Sequence, residues 1–446
     1  MLVSKLKIPN PKFKEAVSAG RNTYKIEEYI TNFSVMPDKS LLVPRGIKEW
    51  LFQTAKELDE PIVIDDKRKL FPHLSLDSSK IIYRPYQYDA VIELMTTANE
   101  GVLMAPAGSG KTIMGLSLLP LLGQPTLWLT HTGPLATQTM ERAEQFLPDI
   151  GDIGFIGGGK WKIGDTLTIG MIQTLVKNPD KMVRMRNDFG MIILDEAHHC
   201  AARTFQEVVC QFNAYFIYGL TATPYRRDKL ETLMFQALGE NMTAISTKKV
   251  ESYGGIMLPT VVYREVHSKK ENGNDIQYIL TKYIVENTKR NRMITGDVLK
   301  EAANKKYCIV VSDRRLHCEA LFELIKVGWE KTGIATGKYN KKHVNEQVRA
   351  FNEGEITVLV TTSALLGEGF DVPFLDRAFI AMPHRSATKT EQIIGRIQRS
   401  HPDKIDAMVY DYVDTDIGVL KNQFFNKYSS CRHRTYAKLG VTVKPY

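Results

Sequence analysis

The stretch GVLMAPAGSGKT, residues 101–112, decides the fold class of this chain. It opens on a short apolar run that is typical of a buried strand, and the apolar pattern of residues 113–119 is helical. A glycine-rich turn between a strand and a helix is the setting of a phosphate-binding loop, because backbone N–H groups and the helix N-terminus both face the anion. The general pattern begins with glycine, whereas this loop begins with alanine. The predicted loop consists of Ala105, Pro106, Ala107, Gly108, Ser109, Gly110, Lys111 and Thr112.

Two side chains of this loop have distinct predicted tasks. The Lys111 ammonium is expected to reach the β- and γ-phosphates of a nucleotide, and the Thr112 hydroxyl is expected to bind Mg²⁺. The sequence therefore predicts a nucleotide–magnesium site where the first strand ends.

A second apolar run, residues 191–194, ends in two carboxylates, Asp195 and Glu196. A helix N-cap with an acidic first turn gives the same pattern, but the upstream phosphate-binding loop favours a catalytic role. We predict that Asp195 binds Mg²⁺ and that Glu196 orients the attacking water as general base. For His198 a polar relay is favoured over a metal ligand, because adjacent His198 and His199 seldom face one site.

Short apolar runs alternate with polar or amphipathic segments over residues 81–237 and again over residues 305–412. Buried strands that alternate with helices predict parallel sheets covered on both faces. We therefore predict an α/β fold with two tandem parallel-sheet domains and a small N-terminal α/β accessory domain. The predicted divisions are an accessory domain (1–80), a nucleotide-binding domain (81–240), a linker with the start of the second domain (241–304), and the second domain with a basic C-terminal extension (305–446).

Composition narrows the class of protein. The chain has 446 residues, and 59 Lys and Arg against 50 Asp and Glu give a net charge of +9, which favours a polyanionic partner. Hydrophobic residues at 43% and charged residues at 24% exclude disordered, collagen-like and disulfide-scaffold classes. The five cysteines lack a metal-binding spacing and predict free thiols. Neither a signal peptide nor a membrane span is indicated, so we expect a cytoplasmic protein.

The last 30 residues, 417–446, contain no Asp or Glu and interleave basic with aromatic side chains. Two interpretations stay open at this point. Basic and aromatic residues together can hold a phosphate backbone and stack on bases. Alternatively, the segment is a helix that packs its aromatic side chains inward.

Six strings together resemble the motifs of superfamily 2 helicases and translocases. The first three are AxxGSGKT at 105–112, DEAH at 195–198 and GLTATP at 219–224. The segments 358–372 (VLVTTSALLGEGFDV) and 392–399 (QIIGRIQR) resemble the later motifs, and 308–316 (CIVVSDRRL) resembles a further one. The resemblance implies two RecA-like domains, ATP and Mg²⁺ as cofactors, and movement along a nucleic acid driven by ATP hydrolysis.

The resemblance also implies roles for single residues. Gln87 would read the adenine edge, and Gln392, Arg396 and Arg399 would face the nucleotide, with Arg399 as the arginine finger. Gly369 and Asp371 would belong to the nucleotide site and link it to nucleic-acid contacts. The residues implied for nucleic-acid contact or coupling are Thr132, Gly133, Gln173, Thr174, Thr221, Thr223, Thr361 and Thr362.

Within the superfamily, DEAH and TAT resemble DNA-directed members, whereas RNA-dedicated DEAD-box members have DEAD and SAT. Residues 10–21 and 43–46 resemble the N-terminal module of phage branch-migration helicases, which would contact duplex or junction DNA. We expect an ATP-dependent DNA helicase that acts on forked or branched DNA in recombination, repair or replication. A monomer in the cytoplasm is expected, which is the host-cell cytoplasm if the protein is phage-encoded, and the sequence names no protein partner. The alternatives are a duplex translocase without strand separation, a nucleotide-gated clamp and an RNA helicase.

Overall fold

The computed structural model describes residues 2–199, 207–222, 230–268, 275–367, 372, 374–425 and 431–446. The chain folds into two compact units, of which the first comprises the chain up to Pro106 and Gly110–Ser246, and the second comprises Thr247–Tyr446 together with the loop residues Ala107–Ser109.

The first unit begins with short elements. Its helices are α1 (Leu2–Lys5), α2 (Pro11–Ser18) and α3 (Lys48–Leu58), and a 3₁₀ turn (Arg45–Ile47) precedes α3. Its strands form two antiparallel pairs, β1 (Lys7–Pro9) with β2 (Tyr29–Thr31) and β3 (Ser34–Val35) with β4 (Leu41–Leu42).

The rest of the first unit is an eight-stranded sheet with helices. Its strands are β5 (Glu100–Met104), β6 (Thr126–Thr130), β7 (Gly154–Gly157), β8 (Lys160–Lys162), β9 (Leu167–Met171), β10 (Met191–Leu194), β11 (Phe216–Thr221) and β12 (Met242–Ala244). Its helices are α4 (Pro85–Thr97), α5 (Lys111–Leu122), α6 (Gly133–Phe146), α7 (Ile172–Val176), α8 (Pro179–Arg184) and α9 (Glu231–Leu238). The strand order is β12-β5-β11-β10-β6-β9-β7-β8, and only the β7–β8 pair of this sheet is antiparallel in the described residues.

The second unit contains a seven-stranded sheet in which every described pairing is parallel. Its strands are β13 (Thr260–Val266), β14 (Cys308–Val311), β15 (Thr332–Ala335), β16 (Val358–Thr361), β17 (Arg377–Ile380), β18 (Met408–Asp414) and β19 (Thr442–Pro445). Its helices are α10 (Thr247–Ser252), α11 (Ile276–Leu280), α12 (Thr288–Ala303), α13 (Arg315–Gly328), α14 (Lys341–Asn352), α15 (Ser363–Gly367), α16 (Ala387–Ile397), α17 (Gly418–Phe425) and α18 (Arg432–Lys438). The strand order is β15-β16-β14-β17-β18-β13-β19.

The central strands of both sheets are buried along their whole length, as in β10 and β14. A parallel sheet needs apolar side chains on both faces because helices cover both. Continuous apolar runs are therefore the sequence signal of these strands, and the predicted pair of tandem parallel-sheet α/β domains is confirmed.

The N-terminal segment is fastened to the amino ends of the strands in the first sheet. Glu100, at the start of β5, is only 2% exposed and pairs with Arg45 and Lys48, each at 3.0 Å. The Arg45 guanidinium also donates to the carbonyl oxygens of Ala214 and Tyr215, at 2.6 and 2.8 Å. Ala214 and Tyr215 lie just before β11, so the N-terminal segment is held at the amino ends of the strands, opposite to their carboxyl ends.

The C-terminal extension is built into the second unit. Phe424 of α17 and Tyr436 of α18 are fully buried in the core. The Arg432 guanidinium donates to both carboxylate oxygens of buried Asp411, at 2.7 and 2.9 Å, and the Tyr436 hydroxyl donates to the same carboxylate. Inward packing of aromatic side chains therefore describes Phe424 and Tyr436, while Lys438 stays exposed.

Across the described part of the chain, no helix combines the length and apolar character needed to cross a membrane. The cysteines for which the structure gives a state, Cys210, Cys308, Cys318 and Cys431, are free thiols.

Candidate active site

The phosphate-binding loop joins β5 to α5, at the carboxyl end of its strand. Gly108 and Gly110 have φ of +81° and +88°, a left-handed region that favours glycine. A Cβ on Gly110 would lie 2.4 Å from the Gln87 amide nitrogen, so a larger residue here would displace the end of that side chain. The Ala105 N–H donates to the Thr221 carbonyl at 3.0 Å, which ties the loop to the end of β11. The loop is thus a glycine cradle of the kind that a nucleotide phosphate fits.

Lys111 and Thr112 open helix α5, as the sequence predicts for such a loop. Lys111 is 8% exposed, and its ammonium donates to the Ala105 carbonyl at 3.2 Å. Loop carbonyls thus surround this charge, and a phosphate approaching the glycine cradle would meet it. Thr112 is half-buried beside it.

Asp195 and Glu196 follow β10. Strand β11 lies between β10 and β5, the strand that leads into the phosphate-binding loop. Asp195 is 4% exposed, and its N–H donates to the Leu129 carbonyl at 3.0 Å. Burial and the adjacent Glu196 charge raise the pKa of Asp195, while the Lys111 charge acts to lower it. A buried carboxylate close to a lysine charge suits a site that receives a cation together with phosphates.

Glu196 adopts a left-handed backbone conformation, with φ of 48°, which costs a residue with a Cβ about 1–3 kcal/mol. Its N–H donates to Asp195 Oδ1 at 2.9 Å, and its carboxylate lies 3.3 Å from His198 Nδ1. His198 Nδ1 is also hydrogen-bonded to Thr221 Oγ1 at 2.9 Å. The structure thus joins Glu196, His198 and Thr221 in one polar chain, in agreement with the relay predicted for His198.

The donor set fits Mg²⁺ bound together with a nucleotide. Among the described residues, no group of three or more His, Cys, Asp or Glu side chains is placed to hold a metal ion. Thr112 and Asp195 are the predicted residues that would hold a magnesium ion here, together with phosphate oxygens.

Gln87 lies in the first turn of α4 and is 4% exposed. Its side-chain oxygen accepts a hydrogen bond from the Arg84 N–H at 2.8 Å. Contact with adenine stays a prediction for this residue.

The nucleic-acid candidates of the first unit lie at the carboxyl ends of neighbouring parallel strands, β6 and β9. Thr132 is the N-cap of α6, and Gly133 opens that helix with open space around its Cα. Gln173 of α7 donates to the His131 carbonyl at 2.9 Å and so links the two segments, while the Thr174 carbonyl accepts from Asn178. The structure therefore places these four candidates along one edge of the sheet.

In the second unit, Thr361 ends β16 and is 2% exposed, and Thr362 follows it, half-buried. Helix α16 carries Gln392 and Arg396, and the Arg396 Nε donates to the Leu366 carbonyl of α15 at 3.3 Å. Arg399 follows the helix, and its backbone forms a bridge with Ile256.

Three predicted residues, Thr223, Gly369 and Asp371, lie outside the described residues. Asp313, which joins two helices of the second unit, was not predicted as a site residue. The Asp313 carboxylate accepts hydrogen bonds from Ser363 and Lys389, each on a different helix. The signal that marks it is a carboxylate two residues after a buried strand, which is close to the signal that marks Asp195.

Two family models match the chain, and together they span more than half of it. The model described as type III restriction enzyme, res subunit, matches residues 80–226, and the helicase conserved C-terminal domain matches residues 289–401.

Relatives and a solved structure agree with these matches. A protein of Escherichia phage T5 described as a probable helicase is 23% identical over 402 residues, which cover 88% of this chain and 85% of that protein. The ATP-dependent DNA helicase uvsW of Enterobacteria phage T4 is 25% identical over 389 residues, covering 83% of this chain and 76% of uvsW. The structure of Saccharomyces cerevisiae Dbp5 bound to RNA and ADP BeF3 superposes with a TM-score of 0.56 at 14% identity, covering 83% of this chain and 96% of that chain.

Two parallel-sheet units with a phosphate-binding loop and a DEAH segment define an ATP-dependent motor of the helicase class. The chain belongs to the superfamily 2 helicases.

Proposed function

We propose that this chain is an ATP-dependent DNA helicase or translocase that unwinds or branch-migrates forked and branched DNA in recombination, repair or replication. The observation that carries the proposal is the meeting of Asp195, Glu196, His198 and Thr221 beside the glycine loop that bears Lys111. This arrangement has the groups that nucleotide hydrolysis needs, and it connects them to the end of β11.

In this proposal the Lys111 ammonium leaves the loop carbonyls and binds the β- and γ-phosphates. Thr112 and Asp195 hold Mg²⁺, which when bound neutralises phosphate charge. Glu196 orients the attacking water and accepts its proton, while His198 holds the Glu196 carboxylate in place.

The remaining nucleotide contacts are also proposals. Arg399 supplies the arginine finger, and Gln392 and Arg396 contact the phosphates beside it. Gln87 recognises the adenine, and Gly369 and Asp371 complete the site.

For the nucleic acid, we assign backbone phosphate contacts to Thr132, Gly133, Gln173 and Thr174. Support comes from their common edge of the sheet and from the net charge of +9. Thr361 and Thr362 are assigned to the same task in the second unit, with Thr221 and Thr223 coupling it to hydrolysis.

DNA is favoured over RNA because the T4 relative is described as a DNA helicase. We further propose that residues 1–80 act as an accessory DNA-binding domain, with the motor in residues 81–240 and 305–446. Action as a monomer in the cytoplasm of a host cell belongs to the same proposal.

An RNA helicase is the second candidate, because Dbp5, which shares the fold, was solved with RNA bound. A duplex translocase without strand separation is a further alternative that uses the same motor.

The test is the rate of ATP hydrolysis with no polymer, single-stranded DNA, linear duplex, a four-way junction and RNA, all at one salt concentration. Fixed salt is required because phosphate-dominated affinity falls steeply with salt. We expect the junction to stimulate hydrolysis more than linear DNA, and Lys111→Ala to be inactive with every polymer. Equal stimulation by linear duplex would favour the translocase, and stimulation by RNA alone would overturn the choice of DNA.

A further inference from the structure

Asp313 lies between the end of β14 and the start of α13, in a turn that is fixed by hydrogen bonds of the preceding residue, Ser312. The Ser312 N–H donates to the Thr361 carbonyl at 3.1 Å, which aligns this turn with the end of β16. The Ser312 hydroxyl is hydrogen-bonded to His317 Nδ1 at 3.0 Å and accepts from the Arg314 N–H at 3.2 Å. The backbone that carries Asp313 is therefore fixed on both sides of it.

The Asp313 carboxylate uses its two oxygens for two different helices. Oδ1 accepts the hydroxyl of Ser363, the first residue of α15, and Oδ2 accepts Lys389 Nζ of α16 at 2.7 Å. Burial alone would raise the pKa of Asp313, but hydrogen bonds from Lys389 and Ser363 outweigh it and lower the pKa. The group is thus a carboxylate at neutral pH, able to serve both partners together.

The two partners stand at informative places in their segments. Ser363 directly follows Thr361 and Thr362, the proposed nucleic-acid contacts at the end of β16. Lys389 lies three residues before Gln392 and seven before Arg396, and this spacing puts all three side chains on one face of α16.

Helices α15 and α16 are joined a second time at their far ends, where Arg396 Nε donates to the Leu366 carbonyl. The short helix after the strand end and the arginine-bearing helix are therefore tied at both ends. Asp313 makes the first tie and Arg396 makes the second.

We propose that Asp313 is a positioning residue for ATP hydrolysis, which holds the arginine-bearing helix α16 in place through Lys389 and connects it through Ser363 to the nucleic-acid contacts of β16. The inference rests on the proposed function of Arg396 and Arg399 at the nucleotide. Asp313 itself touches neither nucleotide nor nucleic acid in this assignment.

The experiment compares ATP hydrolysis by the unaltered chain with Asp313→Asn, Lys389→Gln, the double variant and Lys389→Arg. We expect kcat to fall about tenfold in either single variant, because a hydrogen bond to a charged group is lost, while KM for ATP stays within twofold. The double variant should be no slower than either single one, because both remove the same tie. Lys389→Arg should keep most of the activity.

Glu319→Gln is the matched control, because Glu319 lies on the neighbouring α13 and pairs with Lys338 at 3.0 Å, away from α15 and α16. It should leave kcat unchanged. Urea unfolding of each variant separates a loss of turnover from a loss of folded protein.

A kcat within twofold of the unaltered chain in Asp313→Asn would overturn the inference, as would additive losses in the double variant. A different measurement tests the proposed function itself. If no nucleic acid stimulates ATP hydrolysis by the unaltered chain, the proposed function is wrong. The effect of Asp313→Asn on hydrolysis without polymer still tests the positioning role in that case.

Discussion

At the scale of single residues, Lys111 and Arg399 are expected to fail in different ways when truncated. Lys111→Ala should abolish ATP turnover, because it removes the cation beside the glycine cradle. Arg399→Ala should bind ATP yet lose roughly 10³-fold or more in turnover, because a finger acts on charge that develops in the transition state. Binding of a fluorescent nucleotide and release of phosphate separate the two cases. Ordinary turnover in Arg399→Ala would refute its assignment as the finger.

The residues of the candidate site differ in how far sequence alone predicts them. Asp195 and Glu196 are predictable because carboxylates that follow a buried parallel strand must lie at its carboxyl edge. The left-handed backbone of Glu196 has no local sequence signal, and the hydrogen bond from His198 to Thr221 joins residues 23 positions apart, so neither is predictable. Asp313 shows the same limit, because its importance arises from two helices that follow it by 50 residues or more.

At the scale of elements, the ion pair of Arg432 in α18 with Asp411 in β18, called the clamp below, leads to a prediction about stability. Asp411 is fully buried, so Arg432→Met would leave its carboxylate without the guanidinium, at a cost of about 3–5 kcal/mol in the free energy of unfolding. Urea unfolding monitored by circular dichroism measures this loss. Adding Asp411→Asn should recover part of it, and Lys438→Met, on the exposed face of α18, should stay within about 0.5 kcal/mol. Equal stability of Arg432→Met and Lys438→Met would contradict the clamp.

The positions of strands along the sequence are easier to predict than the strands with which they pair. The apolar run at residues 191–194 coincides with β10, and the helix expected at 113–119 lies inside Lys111–Leu122. Strand β19 escapes prediction because Thr442–Pro445 is short, half-polar and ends in proline. It pairs with β13, far away in the sequence, and packs against α18, and no local pattern encodes either contact.

At the scale of the whole molecule, two buried histidines predict sensitivity to acid. Burial lowers the pKa of His317 and of His384 to about 3, from an ordinary value of 6.5. Below pH 6.5 the unfolded chain binds protons that the folded chain does not, so stability falls as pH falls. Each histidine should contribute a loss of about 1.4 kcal/mol per pH unit between these two pKa values.

Urea unfolding at pH 7, 6 and 5 measures that loss. The His317→Gln variant should lose about 2 kcal/mol less than the unaltered chain between pH 7 and pH 5, whatever its stability at pH 7. The prediction is wrong if the pH dependence of the two chains is parallel.

The amino ends and the carboxyl ends of the strands in the first sheet carry different groups. The N-terminal segment holds the amino ends of the strands through Arg45, Lys48 and Glu100, whereas the nucleotide-site residues stand at the carboxyl ends. The N-terminal segment and the proposed catalytic groups therefore lie at opposite ends of the strands of one sheet.

Strand β19 is the outermost strand next to β13 in the described second sheet. It pairs with Thr260–Tyr263, the first four residues of β13, which is a seven-residue strand rich in valine. The outer edge that it presents instead is short and carries Lys444 and Pro445, which are poor templates for a further strand. A chain cut before Thr442 would expose the backbone of Thr260–Tyr263 to other molecules, so we expect such a chain to aggregate more readily.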